Sequence, residues 1–450
     1  MELNKDLRPS FHITGGTGWI NDPNGLIYYK NKYHVFYQYY PHDTNWGPMH
    51  WGHVVSSDLL HWERLPIALY PKIDTGEDGC FSGTAIEHNN MLFVVYTGFY
   101  ENGGGDNVKQ VQCLASSTDG IYFQKHGVIV GDKELPEEYS VCDFRDPKIW
   151  KEDGVFYMLV AARKKGGKGH ILLFSSTDIF NWTFVGDVLE NESKGIMIEC
   201  PEYCKELNLL LHSEQFQPNE GNKHLNIHSC RYYIGNIDVK SGKFIGGNSD
   251  IVDYGFDFYA PQVFSKSNVL IGWLNMWDRN NPSQKYGFAG TLTIPRHIEV
   301  VDGVLLQKPV WNYANKKQFM VKKQRNFKFK LGALKLNINK LQNLEIKLRM
   351  KDDQYFLVTY ENGELVFDRS KSGESIVGAE MDSDSLKGIR RMPVLSKENV
   401  EMEIIMDEFS IEFFVNGLAS SFLVYPDVDS DDVMIKVDSR CTKLTMSKFE

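Results

Sequence analysis

The sequence has no apolar run long enough to cross a bilayer as a helix and no extended basic stretch. With a formal net charge of -10, the second absence argues against nucleic acid as a partner, and the first against the membrane. The opening residues, Met1 to Arg8, contain no apolar core of a secretion signal, so the chain is expected to stay in the cytoplasm. Cysteine is sparse and odd in number: seven residues, scattered as Cys80, Cys113, Cys142, Cys200, Cys204, Cys230 and Cys441. They read as reduced thiols. Cys200 and Cys204 have no second Cys/His pair at zinc-finger spacing, so no metal site is expected. Helical periodicity is scarce too.

What is present is a soluble, globular composition, 42% apolar and 13% aromatic over 450 residues, with room for two domains. Short runs rich in β-branched and aromatic residues recur: His34–Tyr40, Leu92–Gly98, Val155–Val160, Leu209–Ser213 and Val269–Leu274. A second set, each with an aspartate at a tight-turn position, follows the first three. Asp58, Asp119, Asp178 and Asp238 lie about sixty residues apart, as a repeated supersecondary unit requires. Five such units predict an all-β chain whose residues 1–297 form a five-bladed β-propeller, a closed design that leaves few strand edges. Residues 298–314 read as a linker that includes a hairpin at Asp302-Gly303. Residues 315–450 read as a C-terminal β-sandwich, a structural element and the surface for a homodimer.

In each unit a distinctive residue precedes the first strand: Asp22, Ser82, Asp146, Glu199 and Tyr259. If those strands line a central channel, the five side chains converge at one mouth, and three are acids. Stability alone does not favour three acids in one funnel, because they repel one another. The loops after the second strands return to the same rim and are expected to recognise substrate. They carry Trp46 and Trp277, suited to stacking on a sugar ring, and the cations Arg163, Lys164, Lys165, Lys168, Lys223, Arg279 and Lys285.

Two carboxyl groups flanking one bond suit glycoside hydrolysis. Asp22 sits at an Asp-Pro-Asn-Gly turn whose N–H groups hold it ionised, as a nucleophile needs. Glu199 follows the apolar Ile196-Met197-Ile198, so its pKa is expected to rise, as a general acid needs. Asp146, after Arg145, is expected to stay ionised and grip hydroxyls.

Trp19-Ile20-Asn21-Asp22-Pro23-Asn24-Gly25, Phe144-Arg145-Asp146-Pro147-Lys148 and Glu199-Cys200-Pro201 resemble the three motifs of glycoside hydrolase family 32, the invertases and fructanases. Phe81-Ser82-Gly83, Asp257-Phe258-Tyr259-Ala260 and the stretch from Asn45 to His53 match that family as well. The resemblance runs nearly end to end. It implies Asp22 as nucleophile, Asp146 as transition-state stabiliser and Glu199 as acid/base, in retaining hydrolysis of a terminal β-D-fructofuranosyl unit. It further implies a fructose subsite of Asn21, Gln38, Trp46, Phe81, Ser82, Arg145 and Trp277, with Tyr259 beside them, and neither metal nor organic cofactor. The substrate is then a small sugar. The likeness is greatest to the members acting on sucrose 6-phosphate, with sucrose or short fructo-oligosaccharides as alternatives. A silent sugar-binding propeller and an inverting glycosidase acting on arabinose or xylose polymers are the other readings.

Overall fold

The computed structural model describes residues 8–72, 75–191, 197–264, 267–378 and 383–449. Ile196 and the first seven residues, used in the sequence reading, lie outside the described residues. Nearly every regular element is a strand; among the described residues the one α-helix, Ser383–Leu386, is a single turn.

Each of the five apolar runs forms the second strand of its own antiparallel sheet: Lys32–Tyr40, Met91–Tyr100, Val155–Lys164, Leu209–Gln215 and Val269–Leu274. Leu92, Val94 and Val95 in one of them, and Leu209, Leu210 and Leu211 in another, are fully buried. Both faces of these strands are covered, so the apolar residues run continuously instead of alternating. Outer strands such as Gln124–Val130 alternate exposed and partly covered positions. The repeated aspartates close the turns into those outer strands. Asp58 Oδ1 accepts the N–H groups of Leu60 and His61, Asp119 those of Ile121 and Tyr122, and Asp178 those of Phe180 and Asn181, all at 2.8–3.0 Å.

The first strands of the sheets, Gly18–Tyr29, Gly79–His88, Tyr139–Glu152, Ile198–Cys204 and Tyr259–Phe264, lie innermost. Each packs on the next, and the last packs on the first. The cycle is sealed by Phe288–Ala289, which pairs in parallel with Gly18 and Trp19. Gly290 follows at φ +82°, where a Cβ would stand 2.1 Å from the Ile20 carbonyl oxygen, so only glycine fits there without strain.

Two expectations need correcting. The distinctive residues do not precede the inner strands; four sit inside them and Tyr259 opens its strand, all at breaks in register. The breaks fall between Ile20 and Pro23, Phe81 and Gly83, Arg145 and Lys148, Glu199 and Glu202, and Tyr259 and Gln262. A bulge lets a strand continue while turning one or two side chains out of the ladder. The hairpin assigned to the linker, Arg296–Val301 with Val304–Pro309, instead pairs onto Val269–Leu274 and completes the fifth sheet. Without these two strands that sheet would expose its edge.

Beyond Pro309 two six-stranded antiparallel sheets face each other across a core that includes Leu336, Ile346, Phe356, Phe413 and Phe422. The alternating runs Leu344–Met350 and Phe409–Val415 contribute strands to opposite sheets. A buried polar seam joins this unit to the first. Arg296 donates to Asp253 at 3.0 Å and to Glu412 at 2.6 Å, and His12 lies 2.8 Å from Asp407 and 2.9 Å from Glu412.

Burial by itself would strip the proton from His12, but the hydrogen bonds and charges of Asp407 and Glu412 outweigh it and lift the pKa to about 9. The folded value lies above the unfolded one, 6.5. The imidazolium therefore stabilises the fold in full below that pH, and its contribution fades as pH rises through about 9. His12→Gln is expected to lower the thermal midpoint by several degrees in mildly acidic buffer and by far less in alkaline buffer. An equal loss in both would show that the imidazolium charge is not what stabilises the seam.

Candidate active site

The bulges place the three acids together. Asp22 Oδ2 accepts the Ser82 hydroxyl at 2.7 Å, and Oδ1 accepts the Asn21 amide at 3.1 Å. Asn21 is itself fixed by Trp19, whose Nε1 donates to its Oδ1 at 2.8 Å. Asp146 Oδ2 accepts the backbone N–H of Cys200 at 3.0 Å, and the Asp146 N–H donates to Thr97 Oγ1 at 2.9 Å. The Cys200 thiol stands 3.6 Å from a carboxylate oxygen of Asp22 and 3.6 Å from one of Asp146, bridging the two. Glu199, the residue before it, accepts Arg145 Nη2 at 2.9 Å and Gln215 Nε2 at 3.0 Å on one oxygen, and the Tyr259 hydroxyl at 2.6 Å on the other. The acids are recessed but reachable: the Glu199 side chain keeps 15% of its surface exposed.

Asp146, Cys200 and Ala260 all take the left-handed conformation, at φ 63°, 48° and 49°, and each precedes a proline. A non-glycine residue held there stores about 1–3 kcal/mol, which the surrounding sheet must hold in place. The register also shows that Glu199 occupies the position of Arg145 and Tyr259, while Cys200 occupies that of Asp146. Sequence reading therefore missed Cys200. The signal was available, because Cys200-Pro201 echoes Asp22-Pro23 and Asp146-Pro147. Gln215 and Thr97 were missed as well, with no local motif to mark them, and Trp19 was given no role although it opens the first motif.

Around the acids, Phe81 stacks on Phe99 with centroids 4.6 Å apart, and Trp46, 47% exposed, meets Phe81 edge-on at 5.9 Å. Trp277 stacks on Trp19 at 5.7 Å and packs against Trp273 at 5.0 Å. The first and last rim loops touch where Gln284 donates to the Thr44 carbonyl at 3.1 Å. Gln38 is buried, with its amide donating to the Cys80 carbonyl at 3.0 Å, so it braces the wall between two sheets.

The sequence profile of the family 32 glycosyl hydrolase N-terminal domain matches residues 12–309, and that of the family's C-terminal domain matches residues 308–449. The chain belongs to glycosyl hydrolase family 32. As a family 32 protein it is a glycoside hydrolase. It is 35% identical to a sucrose-6-phosphate hydrolase of Zymomonas mobilis, over 95% of this chain and 89% of that protein. Among solved structures it resembles the sucrose-6-phosphate hydrolase of Lactobacillus gasseri, with a TM-score of 0.90 at 27% identity over 99% of this chain and 94% of that one. It also resembles a variant of the Bombyx mori family 32 β-fructofuranosidase in complex with sucrose, with a TM-score of 0.85 at 31% identity over 99% and 94%.

The electrostatics of this family 32 site reverse the order expected from sequence. Burial raises the pKa of Asp22, with the hydrogen bonds from Ser82 and Asn21 opposing it and the charge of Glu199 adding to it. Burial also lifts Asp146 to about 7, against the pull of Arg145 and with the push of Glu199 and Asp22. For Glu199, burial is outweighed by the Arg145 charge and the Tyr259 hydrogen bond, and its pKa falls. The reason is geometric: Arg145 pairs with Glu199 at 2.9 Å but stands 3.9 Å from Asp146. Without substrate, these surroundings favour the protonated form of the two aspartates and the ionised form of Glu199.

The rim cations are largely committed. Lys168 pairs with Glu190 at 3.5 Å, Lys223 with Asp250 at 2.6 Å, Lys164 with Asp187 at 4.0 Å, and Lys285 with Glu374. Arg279 is not a rim residue at all: it is buried between the two units, with Nη1 2.9 Å from Asp257. Arg163 pairs with Asp143, and Lys165 is exposed.

Because the Ser82 hydroxyl favours the ionised form of Asp22, its removal is expected to raise the Asp22 pKa further. In Ser82→Ala the carboxyl carbon shift of Asp22, followed by carbon-13 NMR against pH, should titrate about one unit higher, in keeping with a lost charge-assisted hydrogen bond. An unchanged midpoint would show that Ser82 does not set the charge state of Asp22.

Proposed function

We propose that the chain is a retaining β-fructofuranosidase that hydrolyses the terminal non-reducing β-D-fructofuranosyl bond of sucrose 6-phosphate or sucrose. The observation that carries this reading is the bridge made by Cys200, which ties Asp22 to Asp146 while the preceding residue offers a third carboxyl group. Asp22 attacks the anomeric carbon of the fructosyl ring and forms a covalent fructosyl-enzyme. Glu199 gives its proton to the departing glycosidic oxygen, then takes one from the water that releases fructose. Asp146 hydrogen-bonds ring hydroxyls as positive charge builds on the sugar. In the free site Arg145 holds Glu199 ionised; a sugar hydroxyl that draws Arg145 away lets Glu199 take up the proton it must deliver. Asn21, Gln38, Trp46, Phe81, Ser82, Arg145, Tyr259 and Trp277 bind or brace the sugar. Gln38 does so from behind the wall, through its bond to Cys80.

The scaffold in this reading is a five-bladed propeller, supported by five sheets whose inner strands pack in a closed cycle. The catalytic unit extends to Pro309, because the hairpin ending there completes the fifth sheet, and the β-sandwich follows. Among the described residues no helix is long and apolar enough to cross a membrane. The enzyme works in the cytoplasm on an imported disaccharide, with neither membrane nor nucleic acid as partner, and pairs through its sandwich as a homodimer.

Asp22→Ala and Glu199→Ala are each expected to lose about a thousandfold or more in kcat on sucrose. The thermal midpoint should be unchanged or higher for Asp22→Ala, which removes one of three mutually repelling acids, and little changed for Glu199→Ala, where Arg145 keeps Asp143 as a partner. A sharp fall in midpoint would make the residue structural instead. Substrate choice is decided by kcat/KM for fructose release from sucrose, sucrose 6-phosphate, 1-kestose and inulin. Preference for either disaccharide supports the reading, preference for kestose moves it to oligofructan breakdown, and no release from any of the four overturns it.

A further inference from the structure

One charged chain leads away from the site and has no place in the chemistry described so far. Arg145 Nη1 donates to Asp143 Oδ1 at 3.2 Å, while Nη2 of the same guanidinium donates to Glu199. The other oxygen of Asp143 is gripped by Arg163, from Nε at 2.7 Å and Nη2 at 2.5 Å. The line Arg163–Asp143–Arg145–Glu199 therefore runs from the rim to the acid, alternating in sign. Its first three members come from two paired strands, Tyr139–Glu152 and Val155–Lys164, and Glu199 from the neighbouring sheet. Phe144 faces Ala162 and Arg145 faces Ala161, so Asp143 and Arg163 fall side by side at the rim end of the ladder. Asp143 keeps 21% of its side chain exposed and Arg163 34%, against 12% for Arg145. The outer pair is more solvated than the inner one.

We infer that Asp143 and Arg163 are positioning residues that set how firmly Arg145 holds Glu199, and so the pH at which the acid is armed. The inference rests on the reading of Glu199 as the acid. A guanidinium has a rigid fork, and the two ends of this one are divided between two carboxylates. If Asp143 pulls harder, Arg145 is drawn from Glu199, which keeps a proton to higher pH. If Asp143 is neutral, Arg145 belongs to Glu199 alone and the proton is lost at lower pH. Arg163 tempers Asp143 and so acts with the opposite sign. The other titratable groups that face Glu199 are Asp22, Asp146, Cys200, His228 and Tyr259, and no substitution at Asp143 or Arg163 replaces one of them.

The test is the pH profile of kcat/KM on sucrose for the full chain as wild type, Asp143→Asn, Arg163→Gln and Asp143→Glu. In the profile the alkaline limb reports loss of the acid's proton. Asp143→Asn is expected to move that limb down by about half a pH unit or more, and Arg163→Gln to move it up, with Asp143→Glu restoring the wild-type limb. A merely structural role would lower activity at every pH and leave the limb in place. Limbs that stay put, or move with the same sign in both variants, overturn the inference. If a variant does not fold, the other and the glutamate replacement still give the sign. A control separates this failure from failure of the underlying reading. Glu199→Gln should lose sucrose hydrolysis while retaining a first-turnover burst of fluoride from fructosyl fluoride, whose leaving group needs no proton. A Glu199→Gln enzyme that still cleaves sucrose with the wild-type alkaline limb removes Glu199 as the acid, and the relay with it.

Discussion

Three carboxyl groups held close together in a recessed site repel one another, and much of the inner architecture can be read as the means of keeping them there. Asp22 is steadied by two neutral donors, Ser82 and Asn21, Asp146 by a backbone N–H, and Glu199 by a guanidinium and a phenol. Each acid has its own kind of partner, so each responds differently to being out of water. Had one cation served all three, their proton affinities would have moved together. The differences among the three acids follow from unequal surroundings imposed on similar groups.

Those surroundings depend on the bulges. A regular strand turns alternate side chains to opposite faces, so neighbouring residues such as Glu199 and Cys200 would point apart. At a bulge the alternation breaks, and neighbours can address the same point while the ladder resumes a residue later. Five sheets carry the break near the same depth, and three of them hold a non-glycine residue in the left-handed conformation there. The stored strain is tolerated because the second strands beneath, such as Leu209–Gln215 and Val155–Lys164, are locked in the apolar core.

Much of this was legible from residues alone. The sixty-residue spacing of Asp58, Asp119, Asp178 and Asp238 marks the sheets because a carboxylate capping two N–H groups is a local device, complete within four residues. The three acids were found through their motifs. What local sequence could not show was anything decided by a distant partner. Arg279 looks like a rim cation until the second unit, with Arg369 also bonded to Asp257, encloses it. The order of proton affinities was inverted because the aim of Arg145 is fixed by Asp143 and Glu199 together, from two different sheets. Cys200, although part of the Glu199-Cys200-Pro201 motif, was given no role because a thiol carries no charge to mark it.

The seal between Phe288–Ala289 and Gly18–Trp19 gives the molecule a built-in order of events. The strand bearing Asp22 is made well before its last partner: its inner edge is paired only after some 260 further residues have been made. So distant a contact is slow to form, and until it does the inner cycle stays open. A nascent or truncated chain that stops short of Ala289 would own all three acids and every motif, and still lack the closed ring that presses them together. Hydrolytic competence should therefore arrive in a single late step, with the closing of a two-residue parallel ladder, and not by degrees as the sheets accumulate.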